Sequence, residues 1–455
     1  MKLEDGKRSS TDSRANRKSA RTETQAANHP TESTADTERQ MEEVVEQENL
    51  MTALKKVRSN KGAAGVDGMT VDDLRAHLKE HWPAIRESLL AGTYKPMPVK
   101  RVEIPKPDGS GVRKLGIPTV LDRFIQQAVL QVLQPRWDPT FSASSFGFRS
   151  GRSTHDAIAR AQEYISQGDA WVVDIDLEKF FDRVNHDRLM GQVAKRVKDK
   201  RMLKLLRAFL NAGVMENGLV SPTVEGTPQG GPLSPLLSNL VLDELDKELE
   251  RRGHRFVRYA DDCNIYVRSK QASLRVMESI SNFIHKRLKL RVNSSKSAAA
   301  KAGLRKFLGF RISGMAKPLR RIAPESLERF KTKIRELTKR TKGRSVERLV
   351  KEDLAPYLRG WGNYYNFCET PKVLKHLDSW IRRRLRSYLW KQWHHKSGRY
   401  RALRKLGVPE IYAKHLSGWR AGPWQASHSR IMRLAAPVSY FCSLGLPTLY
   451  VEPNA

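Results

Sequence analysis

The sequence is poor in the features that stabilise secreted and membrane proteins. Three cysteines occur in 455 residues, Cys263, Cys368 and Cys442. They form no CxxC pair and no zinc spacing, which argues against a disulfide framework and a cysteine-based metal site and suits a reducing compartment. No run approaches the about 20 apolar residues of a membrane helix, and no apolar signal segment opens the chain. The expectation is therefore a protein that is neither secreted nor membrane-spanning. There is no Walker A sequence, so phosphate binding by a P-loop is not indicated, and no solenoid-length repeat. Acid is also scarce: 49 Asp and Glu stand against 83 Lys and Arg, a net charge of +34. Such an excess points to a polyanion, because Lys and Arg neutralise phosphates and release their counterions. The hydrophobic fraction of 39% is low but exceeds that of a wholly disordered chain.

The charge is unevenly placed. Residues 301–455 carry +24 of the +34, look helical and hold most of the nine tryptophans. The composition shifts near residue 315, which predicts a domain boundary there. Residues 1–40 almost lack large apolar side chains and read as a disordered basic tail. From Glu42 a helical pattern runs through Leu50, Leu54 and Val57. Residues 62–68 (GAAGVDG) read as a loop and 71–90 as a helix. Val99–Ile104 alternates like a strand and leads into Pro105–Gly111 (PKPDGSG), a hairpin tip. Phe124–Leu133 is an apolar helical run. Trp171–Leu177 reads as a strand, 188–211 as helices and Arg255–Val267 as a hairpin. The class is α+β.

The sharpest feature is Phe256–Val267 (FVRYADDCNIYV), in which Asp261 and Asp262 sit at a predicted hairpin tip. Adjacent carboxylates repel unless a cation neutralises them. An ordinary acidic turn explains a bare Asp-Asp pair, but a second acidic strand is present in Val172–Leu177 (VVDIDL). Its alternation puts Asp174 and Asp176 on one face, and carboxylates within so apolar a strand need a partner. Two such strands side by side supply the oxygen ligands for two magnesium ions, which suit in-line displacement at phosphorus.

With Tyr259–Asp262 reading YADD and Asp176–Asp182 reading DLEKFFD, the chain resembles the palm of a reverse transcriptase. More narrowly it resembles the reverse transcriptase/maturases encoded by bacterial group II introns of the group IIC kind, with motifs in that family's order from about 45 to 450. The resemblance implies a right-hand polymerase, with fingers and palm on an antiparallel sheet over 41–315. A helical thumb or maturase domain follows over 316–395, then a small basic DNA-binding region over 396–455. It implies catalysis by Asp176, Asp261 and Asp262, all three binding metal as two Mg2+ ions, with Lys296 as proton donor to departing pyrophosphate. Asp174 and Asp182 are fallback ligands.

Around the incoming dNTP the resemblance implies Lys106 and Arg113 on the triphosphate, Phe181 as the gate against a ribose 2′-hydroxyl, and Gln229 at the nascent pair. For template, primer and RNA it implies Arg149 and Arg152 (in FGFRSGR), Gly230 and Gly231 (in QGGPLSPLLSN), and Phe307 and Gly309 (in FLGF). In Leu377–Trp393 the residues Leu377, Ile381, Leu385, Tyr388 and Leu389 form an apolar stripe. Arg382, Arg383 and Arg386 are the RNA-binding candidates beside it. His394 and His395 lack the companions of an HNH nuclease, so no endonuclease domain is expected. The implied partners are the group II intron RNA, an RNA template with a DNA or RNA primer, target DNA and dNTPs, without a membrane, in the bacterial cytoplasm or on nucleoid DNA. Two alternatives stand beside this: a host-adopted reverse transcriptase in repair or phage defence, and an RNA-binding maturase without polymerase activity. The intact carboxylates argue against the second.

Overall fold

The computed structural model describes residues 38–105, 111–216, 219–221, 226, 230–314, 317–340, 343–420 and 422–450. The tail expected over 1–40 therefore falls almost wholly outside the described residues, as do Lys106 and Gln229.

Among the described residues ten strands form three sheets. The first has the order β2-β1-β4-β5, built from β1 (Val99–Pro105), β2 (Val112–Ile117), β4 (Val214–Glu216) and β5 (Leu219–Ser221). β1 and β2 pair antiparallel from Lys100↔Ile117 to Pro105↔Val112, as expected for arms flanking a hairpin tip. The expected antiparallel sheet is broken at one place: β1 runs parallel to β4, with Val99 opposite Val214. The second sheet has the order β6-β7-β3-β8 and is antiparallel throughout, from β3 (Trp171–Asp176), β6 (Arg255–Tyr259), β7 (Asp262–Val267) and β8 (Ala298–Lys301). A two-stranded ribbon, β9 (Phe310–Ile312) with β10 (Arg320–Ile322), follows. Beyond it the described chain is helical, with Pro371–Gln392 the longest helix.

The central sheet separates two cores, and strand alternation decides which residue enters which. Val173 and Ile175 of β3, Cys263 and Ile265 of β7 and Phe256 of β6 enter the first core with the helices Val120–Trp137 and Ser234–Arg251. Val172, Val257 and Tyr266 enter the second core with Ile158, Phe310, Phe330, Leu358, Leu385 and Phe441. Asp174, Asp176 and Asp262 share the parity of this second face. The composition shift near 315 thus crosses a continuous hydrophobic cluster. A third small core gathers Trp390, Leu403, Leu416 and Met432. Among the described residues no helix is long and apolar enough to cross a membrane.

Helix starts are set locally. Ser153 and Asp156 form a reciprocal capping box at Thr154–Ser166, and Asp199 accepts from the Arg201 and Met202 amides at Lys200–Asn211.

Candidate active site

The register of the central sheet brings the acidic motifs together. Asp176, at the end of β3, lies directly opposite Asp262, the first residue of β7. Tyr259 pairs with Asp262, so Ala260 and Asp261 alone form the turn. Ala260 takes φ 58°, a left-handed conformation that L residues adopt at a cost. Asp174, opposite Asn264, is buried and accepts from Arg305 Nε at 2.9 Å. Its side chain is 11% exposed, against 40% for Asp176. This geometry separates the two acids that the sequence leaves as alternatives: Asp174 has a fixed guanidinium partner and Asp176 remains accessible.

The charges are crowded. Asp262 is pushed up to about 8, mainly by burial and then by Asp174, Asp261 and Asp176. Burial also holds Asp261 above the ordinary carboxylate range; Asp176 adds to this, while Arg113 on β2 opposes it. Lys296 Nζ stands 3.9 Å from Asp176 Oδ2. The loop carrying Lys296 clasps the end of β3: the Asn293 amide donates to the Asp176 carbonyl at 2.8 Å, and the Asp176 amide donates to Ser297 Oγ at 3.0 Å. Among the described residues no three His, Cys, Asp or Glu side chains are grouped closely enough to hold a metal ion. The donors nevertheless suit a hard divalent cation, since they are carboxylates short of counter-charge.

A residue that sequence reasoning missed fixes the turn. Arg258, on the opposite face from Tyr259, is fully buried. Its Nε and Nη2 donate to Asp246 at 2.7 and 2.6 Å, Nη1 to the Ala260 carbonyl at 2.8 Å and to Asn239 Oδ1 at 3.0 Å, and Nη2 to Ser145 Oγ at 2.8 Å. Asn239 in turn donates to the Gly147 carbonyl at 2.9 Å. One guanidinium thus joins the YADD turn to two distant motifs, QGGPLSPLLSN and FGFRSGR. The signal was an arginine inside an apolar strand, which requires a buried acid somewhere in the fold.

Gly147 presses on the same turn. A Cβ there would lie 2.2 Å from the Ala260 nitrogen and 2.9 Å from the Tyr259 carbonyl carbon, both backbone atoms that cannot swing aside. Gly147→Ala is expected to shift the Asp261 carboxylate and lower kcat about 100-fold with far less change in KM. Steady-state kinetics on one primer-template pair checks this, and unchanged kcat would contradict the packing.

Residues 104–312 match the family described as reverse transcriptase (RNA-dependent DNA polymerase), and residues 327–407 match the group II intron maturase-specific domain. The chain is 34% identical to Protein YkfC of Escherichia coli (strain K12), an alignment covering 56% of this chain and 77% of that protein. It is 32% identical to the group II intron-encoded protein LtrA of Lactococcus lactis subsp. cremoris, covering 57% of this chain and 54% of LtrA. This chain belongs to the group II intron-encoded reverse transcriptase/maturases. Its match spans about half the length of LtrA. Reverse transcriptase domains are generally Mg2+-dependent nucleotidyltransferases.

Within this reverse transcriptase/maturase, the remaining sequence-named residues divide into two groups. Some sit in turns and loops packed against neighbouring elements. Phe180 is buried at 2% exposure, whereas Phe181 beside it is half-buried, so the first of the pair is the core residue. Gly230, at φ 137°, would place a Cβ 2.7 Å from the Gly116 carbonyl at the end of β2, and Gly231 would meet Gln126. These glycines let the loop touch the first sheet at Gly116 and the helix Val120–Trp137 at Gln126. Phe307 and Phe310 exchange backbone hydrogen bonds at 2.9 Å around Leu308 and Gly309. The Tyr364 hydroxyl donates to the Leu308 carbonyl at 2.6 Å, and a Cβ on Gly309 would lie 2.6 Å from the Tyr365 hydroxyl. Residues 358–365 (LRGWGNYY) therefore buttress the FLGF turn.

Others are internal. Arg149 is buried, with Nε on Asp138 at 3.0 Å and Nη1 on the Ser142 carbonyl at 2.6 Å, so its donors hold the loop together. Arg152 donates to the Ala143 and Ser145 carbonyls and lies over Phe146. In the long helix the five-residue stripe is buried as expected, but so is Arg386, which donates to the Ala436 carbonyl at 2.9 Å. Burial, with Arg382 and Arg433 nearby, lowers Arg386 to about 10. Arg149 and Arg386, both expected at nucleic acid, thus each spend donors inside the fold in this structure. Arg382 and Arg383 are half-buried, and Arg383 lies 4.0 Å over the Trp424 ring.

Proposed function

We propose that the protein is an RNA-directed DNA polymerase that copies an RNA template from a 3′-hydroxyl primer and binds its group II intron RNA to assist splicing and target-primed retrohoming. The observation that carries the polymerase reading is the cross-strand pair Asp176–Asp262 with Asp261 in the adjoining turn. Asp176, Asp261 and Asp262 would hold two Mg2+ ions, whose chemistry is to polarise the attacking 3′-hydroxyl and neutralise the leaving pyrophosphate.

The other roles follow from the side chains' chemistry and placement. Arg113, close enough to act on Asp261, grips the triphosphate together with Lys106, a fork and a point charge suited to phosphate. Lys296, near Asp176, donates a proton to the departing pyrophosphate. Phe181 fills the space of a ribose 2′-hydroxyl. Gln229, Gly230 and Gly231 lie against the nascent pair, and the Phe307–Gly309 turn steadies the primer. Arg152, Arg382 and Arg383, with the basic C-terminal third, contact RNA; residues 396–455 contact target DNA. This reading places the protein in the bacterial cytoplasm, on nucleoid DNA during retrohoming.

Extension of a DNA primer on an RNA template with dNTPs and Mg2+ tests the reading, and absence of cDNA overturns it. Phe181→Ala is expected to raise ribonucleotide incorporation roughly tenfold or more, as opening one steric contact does. Unchanged sugar selectivity would move the gate elsewhere.

A further inference from the structure

A second site lies outside the polymerase cleft, in the helical third. Three guanidinium groups, those of Arg335, Arg340 and Arg384, line one cavity of about 280 Å³. Two indoles, Trp380 and Trp424, and two hydroxyls, Thr338 and Ser387, complete its lining, which includes no acidic side chain among the described residues. The pocket is partly ordered from within. Arg384 Nε donates to Thr338 Oγ1 at 2.7 Å and its guanidinium lies 5.4 Å from the Trp380 ring centre; Arg335 lies 6.0 Å from the same ring. Arg340 makes one long contact, 3.4 Å to Ser387 Oγ. Among the described residues, only Arg335 of the three pairs with a carboxylate, that of Glu328, which does not line the cavity. Burial and the charges of Arg335 and Arg340 lower the Arg384 pKa.

We propose that this pocket takes a backbone phosphate of single-stranded or unstacked RNA, with the adjoining base stacked on an indole wall. Three converging like charges repel one another until an anion enters. Guanidinium forks and hydroxyls match phosphate oxygens, and indoles match a base, whereas a free inorganic anion makes no use of the two tryptophans. The cavity is too small for a duplex and suits one nucleotide unit. Trp424 lies beyond the residues matching the maturase-specific domain, so part of the wall comes from outside that domain. The proposal rests on the RNA-binding part of the reading above and not on polymerase activity.

The test exploits a neighbour. Lys339 and Arg340 are adjacent, exposed and equally charged, but only Arg340 lines the cavity. Affinity of the full chain for a short oligouridylate is measured against salt for the wild type, Arg340→Ala, Lys339→Ala and Trp424→Leu, with thermal melting of each to confirm folding. Arg340→Ala is expected to weaken binding about tenfold and to lower the slope of log affinity against log salt by about 0.7, the loss of one phosphate on a single strand. Lys339→Ala is expected to change neither by as much. Trp424→Leu is expected to weaken binding about tenfold with the slope unchanged. Equal effects of Arg340→Ala and Lys339→Ala overturn the proposal. If those two variants are equal and inorganic phosphate raises the melting temperature of the wild type but not of Arg340→Ala, the site belongs to free phosphate and the RNA assignment fails. Primer extension separates the two readings: its failure with the Arg340 and Lys339 difference intact removes the polymerase assignment alone.

Discussion

Arg258→Ala is expected to cost about 3–5 kcal/mol of folding stability, because it strands the fully buried Asp246 carboxylate without its counter-charge. The same truncation removes the donor to the Ala260 carbonyl, in a turn whose φ of 58° has to be held by its surroundings. Stability and activity separate in a second variant. Arg258→Met combined with Asp246→Leu replaces both charges by apolar groups, which is often neutral or stabilising. That double variant is expected to recover most of the stability and little of the activity, since Ala260, Asn239 and Ser145 still lack their common donor. Denaturant titration gives the first quantity through the midpoint, and primer extension gives the second. Recovery of both together would show that Arg258 supports only the core and not the turn.

The acidic site was legible in the sequence because its determinants are local. Period-2 alternation around Asp174 and Asp176, and two apolar arms around Asp261 and Asp262, specify strands and a hairpin before any contact is known, and the pairing Asp176↔Asp262 follows those arms. The choice between Asp174 and Asp176 was not legible from the residues themselves, since it depends on Arg305, 131 residues from Asp174 in sequence. Arg258 was hidden for the same reason: its partners come from two segments that meet it only in the folded chain, Asp246 and Asn239 from the helix Ser234–Arg251 and Ser145 from a loop.

The long helix Pro371–Gln392 shows where a helical stripe misleads. The apolar stripe is buried as its spacing predicts, but the arginines beside it, expected at RNA, do not all lie on a free face. The segment 436–450 packs over it: Arg386 donates to the Ala436 carbonyl, and Asp378 accepts from the Leu449 and Tyr450 amides at 3.0 and 3.2 Å. A second packing layer of this kind leaves no periodic mark on the helix it covers. The parallel contact of β1 with β4 is similarly non-local.

The second large effect is expected at Asp261. The substitution Asp261→Asn keeps the side chain's volume and the turn but removes the negative charge facing Asp176 and Arg113. A neutral amide binds a hard divalent cation far less well than a carboxylate. Folding is expected to be retained or improved, because the turn sheds like-charge repulsion from Asp176 and Asp262. Binding of the primer-template pair is expected to persist, since those contacts lie elsewhere. The most direct measurement is therefore cDNA yield from a DNA primer annealed to an RNA template, with dNTPs and Mg2+, for the wild type and Asp261→Asn side by side. The expected result is full-length product from the wild type and none above the enzyme-free control from the variant. Equal product from both would contradict the assignment of Asp261 to catalysis, and no product from the wild type would contradict the polymerase itself.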